Sequence, residues 1–469
     1  MSALQKTITL DLAESFKKIV GEAYFFTDEA TLQDYSKDAT ETLQFSPQAV
    51  LKPATADEIS AILKICNQYK IPVTPRGGGT GLSGGALPYL GGIVISTERL
   101  NKILHIDERN LQVTTEPGVI TEVLQREVAA RGLFYPPDPS SKGSCFIGGN
   151  IAENSGGPRA VKYGVVKDYV LNLEVVLPTG EIIWTGANVL KNVTGYNLTQ
   201  LIIGSEGTLG IVTKIVLKLI PLPKYDILML APFNDLDKAC EAVSAIFRAG
   251  CTPSALELME IDALTIVSQM VGTHAAPVNS SIAAHLLIEL DGNNKDVLVG
   301  EMEQIAALME QHGAGDLLLA EDAQQKEELW KLRRRMAEYV KMCGYTIEED
   351  VVVPRAELSR LIKVLKEMGH KHQFKSVAYG HAGDGNLHIR IKKDSVADSY
   401  KNPEMQLILR ELFQQIKALG GTITGEHGVG LIQKGFMDIM FEERTLQIMR
   451  DIKRAFDPNN ILNPGKIFD

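Results

Sequence analysis

The chain has 469 residues, of which 45% are hydrophobic and 23% are charged, and its formal net charge is −10. This length predicts two or three domains, and the composition is typical of a globular protein. The negative charge argues against sequence-independent binding to nucleic acid or to an anionic membrane. No apolar run has the length of a transmembrane helix, and the N-terminus lacks the apolar centre of a signal peptide.

The cysteines argue against two further kinds of site. They are five in number, scattered along the chain without a CxxC motif: Cys66, Cys145, Cys240, Cys251 and Cys343. This pattern supports neither a disulfide framework nor an iron–sulfur cluster within the chain. A reducing, cytoplasmic setting is therefore expected.

The first predicted elements lead to a glycine-rich run. After a helical lead-in, Thr55 and Glu58 form a capping box that opens a helix to about Tyr69. A short strand is predicted over 71–74, and Pro75 is expected to end it. The run that follows reads Arg76-Gly77-Gly78-Gly79-Thr80-Gly81-Leu82-Ser83-Gly84-Gly85.

This run contains G-x-G-x-x-G at 79–84, which taken alone is a weak match to the dinucleotide fingerprint. The glycines and the proline that follow argue against a helix there, so we reject a nicotinamide-type Rossmann site. Consecutive glycines can still direct several backbone N–H groups at one anion, and Arg76 can add a charge-assisted hydrogen bond. A plain surface loop explains this run equally well when the run is considered alone.

The remainder of the first half adds two similar regions. Strands are predicted over 92–96, 103–107 and 112–116, a helix over 120–131, and a hairpin over 171–185. Loops rich in Gly, Asn, Ser and Pro cover 136–143 and 147–157, and a third glycine cluster at 203–210 leads into a strand. The first two such regions in one domain, separated by strands, argue against accidental loops. Pro221-Leu222-Pro223 is predicted to be a linker.

Strands and helices alternate after residue 223, which predicts an open α+β sheet with helices on one face. Within this half, Asn234 is expected to cap a helix to about Arg248, and one long helix is expected over 322–342. Strands over 374–379 and 387–391 flank Gly380-His381-Ala382-Gly383-Asp384-Gly385-Asn386-Leu387-His388. The glycines allow a hairpin that brings both histidines to one end.

A second glycine-flanked turn, Gly425-Glu426-His427-Gly428, adds a carboxylate and a third imidazole. Two histidines and one carboxylate suit zinc, manganese or iron and leave open positions for a substrate. The fourth group is then available for proton transfer. The competing interpretation is that these histidines are satisfied in ordinary turns. Likewise, the basic run at 331–335 is predicted to be a solvated helix face, from which one arginine can turn inward to a carboxylate.

Taken together, these motifs resemble the FAD-linked oxidase family of the vanillyl-alcohol-oxidase/PCMH superfamily. The resemblance runs from about residue 40 to the C-terminus. The branch that it resembles holds D-lactate dehydrogenases, D-2-hydroxyglutarate dehydrogenases and the FAD subunit of glycolate oxidase. The segments that carry the resemblance are the glycine run at 76–81, Pro137-Asp138-Pro139, Gly148-Gly149-Asn150, Gly204–Gly210, Gly380–His388, Gly425–Gly428 and Asn463-Pro464-Gly465-Lys466.

The fold that the resemblance implies is α+β, with a PCMH-type FAD-binding domain of two α+β subdomains. A ferredoxin-like α+β substrate (cap) domain and a C-terminal helical segment follow. The expected boundaries are 1–45 for the lead-in, 46–223 for the FAD domain, 224–415 for the cap domain, and 416–469 for a segment returning to the FAD domain.

The resemblance also implies the roles of individual residues. His381, His388 and Glu426 would hold a divalent metal, His427 would be the base, and Arg333 and Arg390 would bind substrate. Some relatives tether FAD to a histidine where this chain has Thr80, so FAD is expected to be non-covalent. The expected FAD contacts are Arg76, Gly77, Gly78, Gly79, Thr80, Gly81, Pro137, Asp138, Ser140, Gly143, Gly148, Gly149, Asn150, Ala152, Asn154, Ser155, Glu206, Gly207, Ile211 and Asn463.

The implied reaction is oxidation of a D-2-hydroxy acid, with hydride transfer to flavin N5. The 2-hydroxyglutarate enzymes carry a lysine ahead of the Asp where this chain has Glu348-Glu349-Asp350, and an asparagine where it has Arg390. These departures favour a lactate- or glycolate-like substrate. The expected electron acceptor is a quinone, an electron-transfer flavoprotein or an iron–sulfur subunit, with a homodimer and peripheral membrane association through a partner left open. The alternatives are a metal-dependent hydrolase and a non-catalytic flavoprotein subunit.

Overall fold

The structure is a computed structural model that describes residues 8–40, 43–272, 275–393 and 402–468. Part of the predicted lead-in, residues 1–7 and 41–42, lies outside the described residues. The chain divides into two compact units. The first unit comprises Met1–Ser155, Val165–Leu222 and Glu426–Asp469, and the second comprises Gly156–Gly164 and Pro223–Gly425.

The helices are predominantly short and amphipathic. In chain order the α-helices of the described residues are α1 Leu10–Val20, α2 Glu29–Tyr35, α3 Ala56–Tyr69, α4 Thr121–Ala129, α5 Ile147–Glu153, α6 Ala160–Tyr163, α7 Leu198–Ile202, α8 Leu236–Arg248, α9 Ile261–Val271, α10 Lys295–Gln311, α11 Ala323–Arg334, α12 Met336–Met342, α13 Leu358–His372, α14 Pro403–Ala418, α15 Met437–Met440 and α16 Glu443–Phe456.

Within the described ranges the strands form four sheets, with strand orders β1-β2-β4-β3, β5-β6-β10-β8-β9, β11-β7 and β15-β12-β14-β13-β17-β18-β16. Their bounds are β1 Phe25–Phe26, β2 Ala49–Leu51, β3 Val73–Arg76, β4 Ile93–Ser96, β5 Ile103–Asp107, β6 Gln112–Thr115, β7 Leu133–Phe134, β8 Val170–Val176, β9 Ile182–Trp184, β10 Ile211–Lys218, β11 Ile220–Pro221, β12 Tyr225–Phe233, β13 Ala255–Glu260, β14 Ala284–Gly292, β15 Leu318–Leu319, β16 Ile347–Val352, β17 Lys375–His381 and β18 Asn386–Lys392.

The capping box predicted the start of α3 correctly. The Thr55 side chain accepts a hydrogen bond from the Glu58 backbone N–H at 3.1 Å. The buried face of α3 then packs into the core of the first unit together with α1 and the strands of the four-stranded sheet. The expectation that Pro75 ends the preceding strand is wrong, because β3 pairs with β4 as far as Arg76. Since β3 lies at the edge of its sheet, a residue without an N–H is tolerated there.

The second unit is built on the seven-stranded sheet, and its helices lie on both faces, which corrects the expectation of one. Met259 and Glu260 are consecutive on β13, so their side chains point to opposite faces. Met259 packs with α9, α11 and α12 in an apolar cluster. Glu260 forms an ion pair with Lys366 of α13.

Two helix predictions in the second unit need correction. Asp235, and not Asn234, caps α8, since its carboxylate accepts from the backbone N–H groups of the first turn. The long helix predicted over 322–342 is two helices, α11 and α12, which meet at Arg335.

The predicted hairpin around Gly380–His388 is confirmed. β17 and β18 pair antiparallel, with Tyr379 opposite His388 and His381 opposite Asn386. Gly385 lies in the turn with φ +87°, and a Cβ there would lie 2.0 Å from the Val353 carbonyl oxygen. Only glycine fits this turn, which fixes the histidine-bearing arms.

Candidate active site

In the first unit, two of the glycine-rich regions pack directly against each other. A Cβ on Gly78 would lie 2.6 Å from the Ser144 carbonyl oxygen, and a Cβ on Gly77 would lie 3.6 Å from Gly149 N. These two regions therefore form one packed arrangement and are not separate surface loops. It depends on the absence of a side chain at Gly78.

The third glycine cluster joins the second region through hydrogen bonds. The Glu206 backbone N–H donates to Ala152 O at 2.9 Å. Asn463 completes the arrangement, because its Nδ2 donates to Gly85 O at 2.9 Å and to Glu206 O at 2.8 Å. The chain's C-terminal end thus ties together two loops that the sequence places more than a hundred residues apart.

The loops also leave room beside their backbone. A Cβ on Gly81 or on Gly149 would meet no described atom within 4 Å. Arg76 flanks the run with its guanidinium 5.1 Å from the ring centre of Tyr35. An open, glycine-lined backbone next to an arginine fits a phosphate-bearing cofactor such as FAD.

Several of the predicted cofactor side chains serve the loops themselves. Asn150 Nδ2 donates to Thr121 Oγ1 at 2.6 Å, and Asn154 Oδ1 accepts from the Lys167 N–H at 2.9 Å. Asp138 lies 3.7 Å from Lys142 Nζ. Of the other predicted cofactor residues, Gly148 lies in α5 and Ile211 begins β10, and the rest lie in the same loops: Gly79, Thr80, Pro137, Ser140, Gly143, Ser155 and Gly207.

Glu206 has a second role in the first unit. Its carboxylate oxygens accept the backbone N–H groups of Val429 and Gly430, each at 2.7 Å. Burial raises the pKa of Glu206, and these hydrogen bonds oppose that rise. Burial also lowers the pKa of Lys466 to about 7. The segment that follows His427 is thus held by a buried carboxyl group.

In the second unit, polar side chains share one face of the sheet at its β13-β17-β18-β16 end. We call this set the polar face. The register places these residues on the same side, since directly paired residues point the same way. The polar face comprises Glu257, Glu348, Asp350, Tyr379, His381, Asn386, His388 and Arg390.

Arg333 of α11 reaches one end of the polar face. Its Nε donates to Glu257 Oε2 at 2.6 Å, and the other Glu257 oxygen lies 2.7 Å from His381 Nδ1. Burial alone would raise the pKa of Glu257, but Arg333 and His381 outweigh it and lower the pKa to about 2. Arg333 Nη2 is buried and has no acceptor among the described residues.

Arg390 occupies the other end of the polar face. Its Nη2 lies 2.5 Å from Glu348 Oε2, and its Nε donates to Tyr379 Oη at 3.3 Å. Glu348 Oε1 lies 3.8 Å from His388 Nδ1. Burial raises the pKa of Tyr379 to about 12, so its hydroxyl stays protonated at neutral pH.

Asp350 lies between these ends and fixes the last residues of the second unit. Its carboxylate accepts from Asn386 Nδ2 at 2.6 Å and from the Gly425 N–H at 3.0 Å. Glu426 and His427 follow Gly425 directly in the chain. Within the second unit, Asp350 of β16 is paired with His388 of β18, so a carboxylate and an imidazole lie side by side as candidate metal ligands. Oxygen and imidazole donors of this kind suit a divalent transition metal.

The structure therefore brings together the predicted site residues of the second unit, but some of their partners differ from the predicted ones. The rings of His381 and His388 have centroids 5.5 Å apart. Asp350, which sequence reasoning did not select, lies opposite His388 as a candidate ligand, while His381 Nδ1 lies within hydrogen-bond distance of Glu257. The signal for Asp350 was present: in the run Glu348-Glu349-Asp350, alternate acidic residues of one strand share a face.

The geometry of the two units agrees with comparisons to known proteins. Residues 222–467 match the family described as FAD linked oxidases, C-terminal domain, and residues 47–186 match an FAD binding domain. The chain belongs to the FAD-linked oxidase family. It is an oxidoreductase, which sets aside the hydrolase alternative.

Three relatives in the family are similar over almost their whole length. Glycolate oxidase subunit GlcD of Bacillus subtilis (strain 168) is 42% identical over 98% of this chain and 97% of its own. D-lactate dehydrogenase of Anaerostipes hadrus is 37% identical over 98% of both chains. D-2-hydroxyglutarate dehydrogenase of Stutzerimonas stutzeri (strain A1501) is 31% identical over 97% of this chain and 98% of its own.

Solved structures confirm the fold. p-Cresol methylhydroxylase has a TM-score of 0.80 at 18% identity and covers 99% of both chains. 4-Ethylphenol oxidase from Gulosibacter chungangensis has a TM-score of 0.78 at 19% identity, covering 100% of this chain and 98% of its own. The predicted α+β fold with a PCMH-type FAD-binding domain is confirmed. Among the described residues, none of the helices combines the length and apolar character needed to span a membrane.

Proposed function

We propose that this protein oxidises a D-2-hydroxy acid of the lactate or glycolate type to the 2-oxo acid. The observation that carries this proposal is the polar face, where a buried arginine with an unfilled donor shares the sheet surface with Asp350 and His388, two candidate metal ligands. The relatives named as glycolate oxidase subunit and D-lactate dehydrogenase support the same substrate class.

Arg333 is the proposed site for the substrate's carboxylate. Its Nε is committed to Glu257, which holds the guanidinium in one orientation, and Nη2 is left to donate. A charge-assisted hydrogen bond from this donor would fix one end of a small acid. Arg390 is proposed to contact the substrate at the opposite end of the polar face.

His427 is the proposed base that takes the proton from the substrate hydroxyl. When bound, a divalent metal such as zinc, manganese or iron would make that hydroxyl more acidic, and FAD would accept the hydride. His388 and Glu426 are proposed ligands, with His381 as the third from sequence and Asp350 as the third from the structure. The Gly425–Asp350 and Glu206–Val429 hydrogen bonds restrain the backbone on either side of His427.

FAD is proposed to bind non-covalently to the glycine-lined loops of the first unit, through the residues predicted from sequence. Thr80 offers no nitrogen for a covalent bond to the cofactor. Electrons would leave to a quinone, an electron-transfer flavoprotein or a separate iron–sulfur subunit. An acceptor outside the chain agrees with the cysteines, which are not grouped as the ligands of an iron–sulfur cluster would be: four of the five are buried singly and the fifth, Cys343, is exposed. A cytoplasmic location is a further proposal. Peripheral association with the membrane through a partner protein, and assembly as a homodimer, are proposals as well.

The test is anaerobic reduction of the FAD-loaded protein. We expect the visible flavin absorbance to bleach on addition of D-lactate or glycolate and to stay unchanged with L-lactate. Protein that cannot be loaded with FAD, or loaded protein that no 2-hydroxy acid reduces, would contradict the proposal. The non-catalytic flavoprotein alternative predicts that second result.

A further inference from the structure

The two buried arginines of the substrate site differ in how their charge is used. Arg333 has one carboxylate partner, shared with His381, and keeps a buried Nη2 without an acceptor among the described residues. Arg390 instead forms an ion pair with Glu348 in which the side chains are 5% and 12% exposed. The site therefore holds one arginine with an unfilled donor and one that is neutralised within the protein.

Tyr379 separates the two arginines along the polar face. The Arg333 guanidinium lies 5.5 Å from the centre of the Tyr379 ring, and the Tyr379 hydroxyl accepts from Arg390 Nε at 3.3 Å. His388, a proposed metal ligand, is opposite Tyr379 and two residues from Arg390 on the same face of β18. Two residues of a strand span roughly 7 Å, which is the scale of a small hydroxy acid.

This arrangement gives a bound acid a direction. With its carboxylate at Arg333 and its hydroxyl near His388, the substituent on the carbinol carbon points towards the Glu348–Arg390 pair. We infer that Glu348 excludes substrates that carry a second carboxylate there, so that the enzyme selects monocarboxylic 2-hydroxy acids. This inference rests on the proposed function and adds a specificity-determining residue to it.

The physical reason is that the second carboxylate of a substrate would have to displace the Glu348 carboxylate or lie close to it. Glu348 already forms an ion pair with the Arg390 guanidinium. Two negative charges brought together in a buried site repel each other strongly. A hydrogen or a short alkyl group meets no such cost. Without the Glu348 charge, Arg390 would lose this carboxylate partner and would attract the second carboxylate of the substrate.

The test compares two acids that differ mainly in charge. D-2-hydroxybutyrate ends in a methyl group where D-malate has a carboxylate, and kcat/KM is measured for each with the FAD-loaded protein. In Glu348→Gln, which removes the charge and keeps the shape, the malate-to-hydroxybutyrate ratio of kcat/KM should rise at least about tenfold.

The matched control is Glu338→Gln. Glu338 pairs with Arg335 at 2.5 Å, but both side chains are about half exposed on the surface of the second unit. The control should leave the ratio unchanged. A ratio that changes by less than about twofold in Glu348→Gln, or equally in both variants, would overturn the inference. An unaltered protein that oxidises neither acid would overturn the proposed function as well.

A second measurement uses the unaltered protein, in case Glu348→Gln does not fold or hold FAD. Oxidation of D-2-hydroxybutyrate is inhibited with 2-oxovalerate and with 2-oxoglutarate, which differ by the terminal carboxylate. The dicarboxylate should inhibit at least about tenfold more weakly. Equal or stronger inhibition by 2-oxoglutarate would overturn the inference.

Discussion

The two units present different chemistry to their proposed ligands. The first unit offers backbone from glycine-rich loops, with Gly78 packed against Ser144 and open space beside Gly81. The second unit offers fixed charges from side chains, such as Arg333 and Glu257. Backbone suits a large cofactor that is bound along an extended surface. Opposed charges suit a small acid that must be held in one orientation for reaction.

The stability of the protein should depend strongly on the buried ion pairs of the side-chain site in the second unit. Glu257→Ala leaves the Arg333 cation buried without its ion-pair partner, so we expect the free energy of unfolding to fall by about 3–5 kcal/mol. Urea denaturation followed by circular dichroism measures this change. Glu338→Ala breaks an exposed pair and should change little. Equal losses in both variants would show that the Glu257 pair is no more important than a surface contact.

Lowering the pH should weaken the ion pair between Glu257 and Arg333 over the range in which Glu257 becomes protonated. The pKa of Glu257 is lowered from 4.5 to about 2 in the folded protein, so the unfolded state binds the proton first as pH falls. Its contribution, on the order of 3 kcal/mol, is fully present above about pH 4.5 and is lost towards pH 2. The stability difference between the unaltered protein and Glu257→Gln should therefore shrink over this range. A constant difference would contradict the lowered pKa.

Metal removal should separate substrate oxidation from FAD binding. After chelation with EDTA, flavin reduction by D-lactate should slow by about a hundredfold, because a bound metal contributes several kcal/mol to such reactions. FAD should stay bound, and added zinc, manganese or iron should restore the rate. Protein shown to be metal-free by elemental analysis that still reacts at the original rate would remove the metal from the mechanism.

Two alanine substitutions in the glycine run distinguish its role in folding from its role in FAD binding. Gly78→Ala places a Cβ against the Ser144 carbonyl and should cost about 1–3 kcal/mol of stability. Gly81→Ala points into open space, so stability without FAD should not change while FAD affinity falls. Thermal unfolding without cofactor and FAD titration measure the two effects. Identical behaviour of both variants would mean that the loop is not a cofactor surface.

The sequence indicated the glycine-rich loops of the first unit more clearly than the side-chain contacts of the second, for a physical reason. Glycine runs are visible as local motifs, and three of them indicate the regions that converge in the first unit. The partners of Arg333 and His381 are not local: Glu257 lies 76 and 124 residues away from them. Only the register of the sheet brings these residues together, and a single sequence does not specify that register.

Predictions of secondary structure from local sequence patterns were also wrong where tertiary contacts determine which element forms. The region 147–157 was expected to be a loop, yet Ile147–Glu153 forms α5 despite two glycines. A Cβ on Gly148 would lie 2.5 Å from Pro117 Cβ, so close packing requires a glycine within this helix. The strand through Pro75 is likewise explained by its edge position, which the sequence does not reveal.

The most direct test of the division between cofactor site and substrate site is His427→Ala, with FAD affinity and anaerobic flavin reduction measured on the same sample. We expect an unchanged dissociation constant for FAD and a reduction rate by D-lactate that falls by about 10²–10⁴-fold, the usual contribution of a general base. A reduction rate equal to that of the unaltered protein would contradict the role of His427, and loss of FAD would contradict the separation of the two sites.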